Sequence, residues 1–144
     1  MFINTNELPK QGFMGKGFDW AKIEPVINSE WRTDKPEKGG LWTSPIREDG
    51  LTEWQHWCKR EMPQWFSETT TEIKPSPEMI VFKVDGWKDL DWLWQRFGAG
   101  NFEAAAKEID AIWFTHKAVW ACRHDTQGRG YDLCATDIES VLWL

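Results

Sequence analysis

Apolar residues recur at helical spacing in two stretches of the chain and in short β-like runs elsewhere. The clearest helical period lies in "WKDLDWLWQRFG", where Trp87, Leu90, Leu93, Trp94 and Phe97 trace one face. A second helix is predicted after Thr52, a suitable N-cap, with Trp54, Trp57, Cys58 and Glu61 at helical spacing and Pro63 ending or bending it. Leu41 to Ser44 reads as a strand stopped by Pro45, which has no N–H for a sheet ladder. "TTTEIKP", Glu78 to Val84 and Asp110 to Thr115 read as further strands, rich in β-branched and apolar residues. In the last segment, "ATDIESVLWL", alternation sets Ile138, Ser140 and Leu142 on one face and Asp137, Glu139, Val141 and Trp143 on the other. Met1 to Asn4 fits a short strand, Asn101 can cap a short helix, and "KAVWACRH" fits either state. Residues 5–39, rich in Gly, Pro, Asn and Lys, read as irregular, with a helical turn near "DWAKIEPVI". The sum predicts a single α+β domain over residues 1–144, with five or six short strands in small mixed or antiparallel sheets flanked by two or three helices.

Composition narrows the partners. A net charge of -6 without a local Lys/Arg cluster argues against nucleic acid. No apolar run approaches the ~20 residues of a membrane span, and the first ten residues do not resemble a signal peptide, so a cytoplasmic protein is expected. Three cysteines without a CxxC pair fit free thiols in a reducing compartment. Twelve tryptophans stand against one tyrosine, more large rings than a core of this size needs. Some of them are expected at a pocket wall or a partner surface.

Most familiar chemical motifs are missing. His56 and Cys58 diverge on a helix, and Cys122, His124 and Cys134 lack zinc-site spacing, so no metal centre is expected. "GFMGKG" lacks the preceding strand and the GK[ST] ending of a phosphate loop. What stands out is "EKGGLWTSP", which sets two glycines, an aromatic ring and two hydroxyls beside one another, together with Glu139 near the end of the chain. A carboxylate among apolar neighbours is costly to bury without a partner, but on an edge strand it can simply face water.

The order "KP…GGLWTSP…EWQHWC…MIVFKVDGWKDLDWLW…IDAIWFT…DIESVLW", covering Lys35 to Trp143, resembles a group of uncharacterised phage and prophage proteins marked by KPxGLW. Their organisation is similar to the ADP-ribosyltransferase fold. The resemblance implies NAD as co-substrate and ADP-ribose transfer to a protein or small acceptor. It assigns Gly40, Trp42, Thr43 and Ser44 to the nicotinamide pocket and Glu139 to stabilising the oxocarbenium-like transition state. The family's first-strand Arg or His has no counterpart in "MFINTN", where Asn4 and Thr5 would substitute, and Lys35 or Arg32 would supply a further contact to NAD. The same resemblance implies the cytoplasm of a phage host and a host protein as target. An alternative without catalysis is a phage-type inhibitor, acting against host defence, that binds its partner through a Trp-rich surface.

Overall fold

A computed structural model describes all residues from Met1 to Leu144. In chain order the strands are β1 (Phe2–Ile3), β2 (Gln11–Met14), β3 (Leu41–Pro45), β4 (Thr70–Ile73), β5 (Val81–Val84), β6 (Ala111–Phe114) and β7 (Ser140–Trp143). The helices are α1 (Glu53–Glu61), α2 (Trp87–Phe97), α3 (Phe102–Ala105) and α4 (His116–Ala121). The fold is therefore α+β, with a seven-stranded sheet in the order β1-β5-β6-β7-β3-β2-β4. Only β5 and β6 run parallel, and α2 and α3 form the crossover that a parallel pair requires. No helix is long and apolar enough to cross a membrane.

Each face of the sheet buries its own apolar set. Phe82, Val84, Ile112, Phe114 and Leu142 point to one side, against Leu90, Leu93 and Trp94 of α2, Phe102 of α3 and Val119 of α4. Val81, Ala111, Trp113, Val141 and Trp143 point to the other side. There the covering layer is the irregular N-terminal segment, through Phe18, Trp20 and Ile23. That segment is thus a packed wall, and the T-shaped contact of Trp20 on Trp143 fastens it, with ring centroids 5.2 Å apart.

Local capping explains where the helices begin. Thr52 Oγ1 accepts the Gln55 N–H at 3.1 Å, and Gln55 Oε1 accepts the Thr52 N–H at 2.8 Å, a reciprocal capping box. The Gln55 amide also donates to the carbonyls of Ser67 and Thr69, which ties α1 to the chain entering β4. Thr115 Oγ1 accepts the Ala118 N–H at 3.1 Å and resolves "KAVWACRH" as helix over its first half.

Two expectations are corrected. The reading of residues 5–39 as irregular apart from a helical turn, which Trp20–Lys22 supplies, misses β2, which pairs with β3 on one side and β4 on the other. The last strand begins only at Ser140, after a turn at Cys134 and Ala135 and a bend at Ile138. Strict alternation therefore fails for Asp137, which does not share the face of Glu139.

Candidate functional site

The pairing of β2 with β3 stops short. Gln11 lies opposite Pro45 and Gly12 opposite Ser44, and no further rung follows. The neighbouring ladders fix which way the next main-chain groups point. The Gly15 N–H donates to Thr69 O, so the odd-numbered residues of β2 bond to β4 and its even-numbered ones face β3. The Leu144 N–H donates to Asp110 O, so Trp143 and Val141 bond to Leu41 and Thr43, and Trp42 faces β2. The amide and carbonyl of Met14 and of Trp42 are therefore aimed across the seam at one another without joining.

A cavity of about 420 Å³ opens at this seam, within the usual size range of ligand pockets. Its walls include Met14, Trp42, Ser44, Trp54, Lys35 and Asp137. Trp42 is half-buried and lies nearly parallel to Phe114, with centroids 6.3 Å apart at 29°, so one ring serves both core and cavity wall. Ser44 Oγ accepts the Trp54 N–H at 3.0 Å, which makes its own O–H the donor available to a ligand. Asp34 accepts the Ala135 N–H at 2.7 Å and holds the turn that delivers Asp137 to the rim. Arg123, just beyond α4, touches Asp137 at 3.7 Å.

The remaining sequence candidates fall elsewhere. Thr43 borders the cavity, but its hydroxyl is engaged: it accepts from Trp143 Nε1 at 2.8 Å and donates to Gln11 Oε1 at 2.8 Å. Gly40 has φ +69°, and a Cβ there would lie 2.7 Å from the Trp143 carbonyl oxygen. Its N–H donates to Glu24 O at 2.7 Å. The glycine is thus spent on a close approach of the chain to itself. Thr5 lies in a 3₁₀ turn that lines a separate polar depression with Asn4, Lys10 and Lys74.

Glu139 is on the opposite face from Trp42. It alternates with Val141 and lies by Trp113, whereas Trp42 pairs with Leu142 on the other side. Burial pushes the Glu139 carboxyl up from the usual carboxylate range, and the Trp113 indole N–H and His116 main-chain N–H oppose that shift. Trp113 Nε1 is buried without a hydrogen bond of ordinary geometry.

Met14 and Trp54 escaped the sequence reading, and Asp137 entered it only as a second carboxylate or a solvated charge on the face of Glu139. Trp54 carried a usable signal, since the surplus of tryptophan already implied rings at a pocket wall. Met14 carried none, because its contribution is main-chain. Comparison of the chain with protein families, curated proteins and solved structures found no match.

Proposed function

We propose that the cavity on the β2–β3 seam binds a nicotinamide-type nucleotide, and that the protein is an ADP-ribosyltransferase-like binding module that does not use Glu139 as a catalytic group. One observation carries this reading: Met14 and Trp42 present unpaired main-chain donors and acceptors to a cavity walled by two indole rings. A primary carboxamide has the same donor and acceptor edge as a peptide group, so it can stand in as the next rung of the ladder. An unmatched buried polar group costs about 1–3 kcal/mol, and a fitting amide recovers that cost. A cationic pyridinium ring gains up to ~2 kcal/mol from the face of a tryptophan. Lys35 offers the charge for a phosphate.

Calorimetric titration with nicotinamide mononucleotide, NAD and nicotinic acid mononucleotide tests the reading. The amide ligands bind, and the acid analogue, which lacks the N–H donors, binds at least about tenfold more weakly. Trp42→Ala weakens all three. Absence of binding in the millimolar range, or equal affinity for amide and acid, defeats the proposal.

A catalytic variant of this reading rests on a different residue, because Asp137 is the carboxylate on the cavity wall. In that variant Asp137 stabilises positive charge developing on the ribose as nicotinamide leaves. Nicotinamide release is then abolished in Asp137→Asn and retained in Glu139→Gln. The reverse pattern overturns it.

A further inference from the structure

Trp120 on α4 is 62% exposed and belongs neither to the core nor to the cavity. Its ring is framed by two polar neighbours. The Arg123 guanidinium lies 5.4 Å from the centroid, and the His116 ring meets it nearly edge-on at 6.3 Å. Lys117, with a side chain 75% exposed, stands on the same short helix.

The segment that carries Trp120 is locally cationic. From Ala111 to His124 the chain has no Asp or Glu, although the whole carries -6. Each cation meets one carboxylate from a neighbouring element, in ion pairs at the loose end of the contact range: Asp85 at 3.5 Å from Lys117 and Asp137 at 3.7 Å from Arg123. Shorter ion pairs with a partner can displace such contacts at little cost. Trp31 is more exposed, at 88%, but it stands between Glu30 and Arg32 and shows no bias of sign.

We propose that Trp120, Arg123 and Lys117 form a docking surface for an acidic segment of another protein that seats one apolar side chain on the Trp120 ring. Trp and Arg are the residue types that most often dominate interface energetics. A guanidinium stacked on an indole keeps its in-plane N–H donors free for a carboxylate. An exposed indole without this charge setting would accept many partners; the cations on either side select for acid. A nucleic acid is disfavoured, because two cations on a chain of net charge -6 cannot offset a phosphate backbone. The surface shares no lining residue with the cavity, and the Arg123–Asp137 contact joins the two.

Fluorescence anisotropy of a labelled Glu- and Asp-rich peptide with one central leucine tests the surface, alongside a Lys-rich counterpart and a single-stranded oligonucleotide. The acidic peptide binds. Its affinity falls about fivefold or more in Trp120→Ala and in Arg123→Gln, as expected for truncation of an anchor residue. Lys117→Glu, at a side chain that is 75% exposed, produces a fall in the same direction, and an unchanged circular-dichroism spectrum of each variant guards against loss through misfolding. Added salt weakens the complex. Failure of the acidic peptide to bind, wild-type affinity in all three variants, or tighter binding of the oligonucleotide overturns the proposal. So does a concentration-dependent dimer that Trp120→Ala abolishes, which would assign the face to a second copy of the chain.

Discussion

Trp42 and Glu139 stand on adjoining segments of the sheet yet point to opposite faces, Trp42 with Leu142 and Phe114, Glu139 with Val141 and Trp113. A ligand stacked on Trp42 cannot meet the Glu139 carboxylate without crossing the sheet. Glu139→Gln is therefore expected to leave ligand affinity at the seam unchanged, a result that the same calorimetric titration reads directly.

Glu139 should instead be visible in stability against pH. Its folded carboxyl is held above the usual range by burial, so the folded state favours the protonated form. That contribution is fully present below the pKa of the unfolded chain and is lost as pH rises through the folded value. Urea denaturation at a series of pH values from 4 to 7 is expected to show wild type losing stability relative to Glu139→Gln as pH rises. A constant difference across the series would contradict the burial argument.

The relay from Trp143 through Thr43 to Gln11 spans three strands beside the cavity. Thr43→Val keeps the shape but leaves a buried indole N–H and a buried amide oxygen without partners. The expected loss is about 1–3 kcal/mol in chemical denaturation, with an unchanged denaturant slope. A neutral result would mean that the buried groups find other partners.

Two glycines separate backbone strain from crowding. Gly50 has φ +85° with open space around it, so Gly50→Ala costs about 1–2 kcal/mol from the left-handed backbone alone. Gly40→Ala adds a collision with the Trp143 carbonyl and is expected to cost more than Gly50→Ala. Paired thermal melts of the two variants check the order.

The thiols should react unequally. Cys58 and Cys122 are buried and Cys134 is exposed. Burial pushes the Cys122 thiol up to about 11, which suppresses its thiolate at neutral pH. Iodoacetamide followed by mass spectrometry is expected to modify Cys134 in the native protein, and Cys58 and Cys122 only after denaturation.

Much of the scaffold was readable because its signals are local. The α2 stripe of Leu90, Leu93 and Trp94 is buried as its period predicts, and Thr52 caps α1. The alternation that placed Glu139 with Val141 also holds. What was not readable depends on partners distant in sequence. β2 has only four residues, one of them a glycine, and its extended form follows from bonding on both sides to β3 and β4. Trp42 could not be assigned a face until its register against Leu142 was known. Asp137 reaches the cavity because a turn held by Asp34 interrupts the strand, a contact across about a hundred positions of sequence. The site is poorly legible for the same reason: its most distinctive feature is a missing rung between main chains, and every residue type has a main chain.

Gly40 shows how such a fold can mislead a substitution scan. Side chains there would be rejected as strongly as at any binding residue, although the cause is the approach of the chain to Glu24 and Trp143. Survivors and failures at this position would track cellular abundance, not occupancy of the cavity. A scan that scores abundance and binding in parallel would separate the turn that builds the wall from the wall itself.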